Sequence, residues 1–448
     1  MTSKTARLLA VGLVLAAVGV VAAVWATREA PDLPEDHAQI QPGTRFDDAA
    51  DAVDYYRAAL RRDPDSAEIR VRLAHALIQL GEDTGAETET LPEARELLAE
   101  ALETEPDHVY GRSVQATLLN KLHRFEDARD VSQGLIAEYP ALAHAHGTLI
   151  DALVELGEYP DAVDASDRLQ RLKPGLPAYS RVSYIRELHG DTEGAIDAMR
   201  RAADAGVGGR PERAWALYQL GTLYLGDAKP DTAAFIYEGI LEEVPDFVPA
   251  LAGLGHVALV KGDADEAVRL LEEARSIRPM EMVDEMLVEA HTAAGNERAA
   301  EAAAQRVHQS LLAAREMGEI VDMEEADFLL DRDEDLERSL RMATEQQARR
   351  PGHLHANETL AWALHKNGRS AEGVPYIERA MRLDTGDAMV HYRAARIYEG
   401  AGQTAEAARH LRIALDGGLA VESPSTAAEA RGVLASLGSG STQTASAQ

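Results

Sequence analysis

The sequence predicts an all-α solenoid of about ten helix pairs, led by one N-terminal transmembrane or signal-anchor helix. Three observations predict it. A pattern of about 34 residues recurs from roughly residue 67 to residue 421, and a fixed period of that size marks stacked two-helix units. Prolines return in register: Pro106, Pro140 and Pro174 stand 34 apart, as do Pro245 and Pro279, and as do Pro351 and Thr385, where Thr takes the Pro position. Little of the chain shows the period of two that a strand requires.

The chain opens with Lys4 and Arg7. Leu8 to Ala26 is then a run of 19 uncharged residues, just long enough as a helix to cross a bilayer core. Trp25 sits where an interfacial aromatic anchors a helix end, and Glu29, Asp32, Glu35 and Asp36 follow. The basic flank stays cytoplasmic in such a segment, so the rest of the chain is expected outside. Two readings stand: an uncleaved anchor over residues 1–26, or a signal peptide cut after Val24-Trp25-Ala26. The first makes a single-pass protein of the cytoplasmic membrane with its repeats in the periplasm or exterior. The second makes a secreted one.

Residues 27–46, with Pro31, Pro34, Pro42 and Gly43, read as a tether. The array itself divides into an N-terminal part (47–247), a central part (248–319) and a C-terminal part (320–421). A capping helix (422–438) and a disordered Gly/Ser/Thr tail (439–448) close the chain. Phe46 to Arg62 reads as a lone helix, and ten pairs begin near residues 67, 109, 143, 176, 214, 248, 282, 320, 354 and 388. A polar insertion, Glu82 to Leu91, separates the helices of the first pair. The pair at 282–319 lacks its terminating Pro, and Met317-Gly318 reads as a break where the array bends or splits.

The clearest unit is Val248–Glu281. Leu254-Gly255 and Ala258 lie on its first helix, Gly262 in the turn, Ala267, Leu271 and Ala274 on its second helix, and Pro279 at its end. Small residues let two helices approach closely, Gly supplies a left-handed turn, and Pro ends the second helix. This pattern resembles the tetratricopeptide repeat, over about four-fifths of the chain and in the membrane-anchored bacterial form. The resemblance implies a right-handed superhelix whose concave face binds protein partners. It also implies that positions 2, 5, 9, 12 and 13 of each unit line that face.

Those positions give Trp215, Tyr218, Thr222, Leu225 and Gly226 in one unit. The next gives Pro249, Ala252, His256, Leu259 and Val260, and the third gives Val283, Met286, Ala290, Ala293 and Ala294. No charge occurs among them in a chain that is 27% charged. Such an apolar patch suits peptide docking. It equally suits packing between neighbouring repeats or inside a tightly wound superhelix. Tyr184, Phe328, Trp362 and Tyr392 complete the candidate set. Tyr110, Lys121, Asp151, Glu155, Glu187, Asp331, Lys366 and Arg396 give the remaining face mixed charge.

Composition narrows the chemistry. Of 45 basic residues only six are Lys, 76 residues are acidic, and the formal charge is −31. A phosphate backbone would be repelled, so nucleic acid is not an expected partner. The acidic surface fits a high-salt host, and also fits plain solubility. There is no Cys, which removes disulfides, thiolate metal sites and lipidation at Cys. His144-Ala-His146 and His353-Leu-His355 do not converge on one helix face, and no His-Glu-x-x-His set completes a metal site. Asp331-Arg-Asp-Glu-Asp335 lacks the Gly and the later Glu of a calcium loop. No catalytic residue, metal or cofactor is assigned. The expected function is a scaffold or adaptor at the cell envelope, holding a partner's extended peptide or helix in the groove. Cytochrome c maturation chaperone and self-assembling structural array are the alternatives.

Overall fold

The computed structural model describes residues 49–445. All regular structure among them is helical. Helix α1 (Ala49–Leu60) precedes ten pairs: α2/α3 (Ala67–Thr84, Glu87–Thr104), α4/α5 (Val109–Lys121, Phe125–Glu138), α6/α7 (Ala143–Leu156, Tyr159–Leu172), α8/α9 (Leu176–Leu188, Thr192–Ala205) and α10/α11 (Pro211–Gly226, Pro230–Glu243), then α12/α13 (Val248–Val260, Ala264–Ile277), α14/α15 (Glu281–Ala293, Glu297–Met317), α16/α17 (Asp322–Asp331, Leu336–Arg349), α18/α19 (Leu354–Lys366, Ser370–Ala380) and α20/α21 (Ala388–Gly400, Thr404–Asp416). A short α22 (Leu419–Glu422) and α23 (Pro424–Ala445) follow. The first helix of each pair is termed A and the second B.

Local chemistry sets these boundaries. Side chains at N-caps satisfy otherwise orphaned amides: Ser66 accepts from Ile69 N at 3.3 Å, Asp263 from Glu266 N at 3.1 Å and Asp387 from Val390 N at 2.9 Å. Each of the ten A–B turns places at least one residue at positive φ: a glycine in seven of them, and His123, Ala228 and the pair Asp333 and Asp335 in the others. Close helix approach is concentrated where a large side chain meets two glycines. Tyr237 of α11 is fully buried. A Cβ added to Gly221 on α10 or Gly253 on α12 would stand 2.3 or 2.6 Å from its ring. The ring thus fills the space that both glycines leave, and joins one repeat to the next.

Three expectations change. Residues 82–91 are not a loop: α2 and α3 each run 18 residues and absorb the insertion, because Thr90 and Leu91 are buried against α2. At Met317-Gly318 the expected break is a loosened joint and not a full split: Gly318 caps α15 in a left-handed conformation, and α15 and α16 make the thinnest contact between successive helices while Val307, Leu311 and Val321 still share one core. At the C-terminus α23 is helical to Ala445, beyond the Gly438 where a tail was expected. Its Ala427 and Ala430 are buried with Leu411 and Leu419, and Leu437 packs on the same cluster, so docking on the last pair carries the helix forward. The apolar run Leu8–Ala26 and the tether lie outside the described residues. Among those described, no helix is long and apolar enough to cross a membrane.

The winding is tight enough for one superhelical turn to rest on the next. Five A–B turns of the first turn each meet a B–A loop of the second. Arg278 donates to the carbonyls of Glu82 and Asp83 at 3.0 and 2.7 Å. Ile320 N–H donates to Leu122 O at 3.2 Å, and the His123 ring to Ile320 O at 3.1 Å. Leu354 N–H donates to Tyr159 Oη at 3.0 Å beside Gly157. A Cβ on Gly190 would stand 2.3 Å from Asp384 O, and one on Gly418 would touch Gly226 O at 3.3 Å. These hydrogen-bonded rungs join residues 195 to 198 apart. With repeats of about 34 residues, a turn takes between five and six pairs. The seam's hydrogen bonds come from backbone groups, Tyr, Arg and His, and Met317, Leu354 and Val421 add apolar contacts to the first turn.

Candidate functional site

Stacking the two turns encloses a lumen lined chiefly by A helices. Its first-turn part is a cavity of about 2140 Å3. Helices α2 and α4 bring Arg72, His75 and Tyr110 to it; α6 and α8 bring Asp151, Glu155, Arg181, Tyr184 and Glu187; α10 brings Trp215 and Thr222. Trp215 and Tyr184 each keep 42% of their surface exposed, a large exposure for aromatics inside a fold.

The proposed groove residues divide in two. Trp215 and Tyr184 line the cavity. Tyr218 is half-buried with its ring 5.7 Å from that of Tyr237. His256 and Met286 are half-buried, Met286 against the α12–α14 core. Phe328 is half-buried beneath the Arg332 guanidinium, 5.7 Å from its ring centre. The other six are core and present no face to a ligand. Ala252 and Leu259 pack directly on Val283 and Leu287, joining α12 to α14. Leu225 is buried with Ala250 and Val257. Trp362 is buried beside Leu330 and Val390, and Tyr392 beside Leu419 and Ala427. Strong curvature explains this: it brings successive A helices together, so that positions facing a wide groove elsewhere become contacts between repeats.

The third apolar unit is also re-phased. On α14 the stripe that escapes the core is Glu281, Glu285 and Glu289, while Val283, Leu287 and Ala290 are fully buried. Burial pushes the Glu281 carboxyl up to about 7, with Glu285 adding repulsion. Burial also raises Glu285, which faces Asp331, Glu324 and Asp327 of α16, and raises Glu289. Glu187 is pushed up to about 7 by burial and by Asp387 across the seam. Spacing of four on one A helix was the available signal for the α14 stripe.

Two ionic groups stand out, one across the turns and one within the second turn. Glu155 on α6 lies 3.6 Å from both Arg350 and His353 of the second turn, and burial still holds its carboxyl above the usual range. The second group is Asp327, His355, Glu358 and Arg393. His355 lies 2.9 Å from Asp327 and 3.2 Å from Glu358, and Arg393 lies 2.9 Å from Glu358 and 3.1 Å from Asp331. Burial opposes charge here, but Asp327 and Glu358 outweigh it and hold the His355 imidazole well above its usual range. The acidic run 331–335 is spent on structure: Asp333 pairs with Lys366 at 2.7 Å and Asp335 caps α17. The His146 Nε2–H donates to Pro140 O at 2.9 Å, and His144 meets Thr117 at 3.0 Å. Among the described residues no group of His, Asp and Glu is arranged to hold a metal.

The fold and the lumen define a superhelical array of helix pairs around an internal channel. Tetratricopeptide-repeat profiles match residues 45–91 and 224–284, and a second such profile matches residues 113–177. The chain carries tetratricopeptide repeats. Cellulose synthase operon protein C of Pseudomonas fluorescens (strain SBW25) is 27% identical over 168 residues, covering 36% of this chain and 13% of that protein. The chain thus spans a small part of that relative's length. Among solved structures it is similar to the APC/C hetero-tetramer Cut9-Hcn1 (14% identity, TM-score 0.38, covering 87% of this chain and 86% of that one). It is also similar to the human IFIT1 dimer with m7Gppp-AAAA (13%, 0.43, 82% and 86%) and to PilW, a type IV pilus biogenesis factor (13%, 0.38, 45% and 93%).

Proposed function

We propose that the protein is a non-catalytic adaptor that takes an extended segment of a partner protein into its lumen. The observation that carries this reading is the cavity of about 2140 Å3 with Trp215 and Tyr184 exposed inside it. Exposed aromatics in a concave, pre-formed site supply contact area at small entropic cost. Tetratricopeptide repeats in general bind proteins, which supports the same reading. We further propose that the adaptor is held at the cell envelope by the apolar run Leu8–Ala26, with the repeats on the outer side. The fold argues against end-to-end polymers: α1 buries Ala52 and Val53 on the first pair, and α22 and α23 cover the last, as caps of repeat arrays do.

The test is photo-crosslinking from position 215 in the native host, with the crosslinkable residue replacing Trp215 in the full chain. A discrete adduct lost when Tyr184 is also changed to Glu supports lumen binding. Adducts formed equally from an outer-face position such as Asp164 refute it. Protease protection of a C-terminal tag in sealed vesicles tests the location.

A further inference from the structure

We propose, resting on the adaptor reading, that the segment admitted to the lumen is an extended stretch of net positive charge. The balance of paired and unpaired groups along the channel carries this. Of the four arginines lining the cavity, Arg72, Arg181 and Arg278 are already engaged, and among the described residues Arg210 has no carboxylate within ion-pairing distance. Arg181 grips both oxygens of Asp151 at 2.7 and 2.6 Å. Arg72 pairs with Glu68 and lies over the Tyr110 ring. Arg278 is held by the carbonyls of the first pair.

The carboxylates are not so engaged. Among the described residues Glu187 has no basic side chain within ion-pairing distance, and its nearest charged influence is a second acid, Asp387. The Glu281, Glu285 and Glu289 stripe likewise has no basic partner, and Glu285 faces three more acids. The stripe begins directly after Met280 of the cavity wall, and Glu324 acts on both Glu155 of that wall and Glu285 of the stripe. Like charges gathered in a partly water-excluded channel are costly, and a cation relieves that cost where it is least screened.

The second feature is aromatic. Trp215 and Tyr184 expose ring faces in the same cavity, and such faces attract guanidinium and ammonium groups. Carboxylates and open rings together match Arg or Lys side chains spaced along an extended backbone. The chain's own tether does not match. Residues 27–48 hold six acids (Glu29, Asp32, Glu35, Asp36, Asp47, Asp48) against Arg28 and Arg45, so self-insertion meets repulsion.

The experiment uses the full chain and fluorescein-labelled decapeptides of alternating Arg-Gly and alternating Glu-Gly, with a synthetic 27–48 peptide as third probe. Anisotropy is read at physiological salt. The Arg-Gly probe should bind saturably. Glu187→Gln with Glu285→Gln should weaken it about tenfold, as expected for two poorly screened charge contacts. An outer-face pair, Glu103→Gln with Asp164→Gln, removes the same charge and should change it less than twofold. Calorimetry in two buffers should show proton release on binding near pH 7, since the cation drives protonated lumenal carboxyls to ionise. Circular dichroism confirms folding of each variant. Equal weakening by both pairs would show mere attraction to an acidic surface and overturn the proposal. Tighter binding of the Glu-Gly or 27–48 probe, lost in Trp215→Ala, would overturn the charge assignment and leave the adaptor reading intact. Binding of no probe in a Trp215-dependent way, together with no crosslink from position 215, would end both.

Discussion

Gly157 provides the sharpest test of the stacked superhelix. It sits in an A–B turn at φ +75°, and an added Cβ would stand 2.1 Å from Gly352 C and 2.2 Å from His353 N, both backbone atoms of the next turn. Neither can move as a side chain would. Gly262 occupies the same place in a second-turn repeat at φ +78°, with nothing within 4 Å of its added Cβ. Gly262→Ala therefore measures the left-handed backbone alone, about 1–2 kcal/mol. Gly157→Ala carries that cost and must also part the turns. Parting them breaks the Leu354–Tyr159 bond at 3.0 Å and the Arg382–Gly157 bond at 3.5 Å, at about 1 kcal/mol each. The expected loss is about 3–4 kcal/mol, roughly twice that of Gly262→Ala. Denaturant unfolding gives the two values, and small-angle scattering should show lengthening only for Gly157→Ala. Equal losses with unchanged scattering would refute the idea that the turns are in contact.

Three further outcomes are expected. Trp215→Glu should abolish partner capture with helical circular dichroism intact, whereas Val283→Glu, which buries an unpaired charge, should cost more than about 3 kcal/mol and melt the central repeats. Glu281→Gln should stabilise the protein at pH 8 by about 1–2 kcal/mol, allowing for the water that reaches it, and should do nothing at pH 4. The sign follows from burial: the folded carboxyl titrates at about 7 against 4.5 unfolded. The folded state thus holds more protons, and stability falls as pH rises between those values; pH-dependent melting of wild type and variant checks it. Finally, the melting temperature should rise with NaCl as the self-repulsion of a −31 chain is screened, and a flat response would assign the acidity to solubility alone.

The pair boundaries were legible because they depend on local chemistry. Proline spacing, turn glycines and small residues at close approaches place most A helices within a residue or two of their observed starts, as at Val109, Ala143, Leu176, Val248 and Leu354. What was not legible depends on curvature. A 34-residue period is the same in an open and a closed superhelix, so nothing local marks Gly157 as a contact and Gly262 as free surface. Residues such as Leu259 and Trp362 were assigned to a groove on a wider geometry than this chain adopts. The α14 stripe was missed for a related reason: the predicted positions Val283, Met286 and Ala290 were aligned to a unit starting at 282, and the row that escapes the core runs through Glu281, Glu285 and Glu289.

The seam between the turns has one consequence for how such a chain can change over generations. Linear repeat arrays grow and shrink by duplicating or deleting single units, since each touches only its neighbours. Here Glu82, Leu122, Gly157, Gly190 and Gly226 each answer to a loop almost two hundred residues downstream. Inserting or removing one pair between them would set turns against helix sides at every rung together. The number of pairs in the interior is thereby locked, and length can vary freely only at the two capped ends.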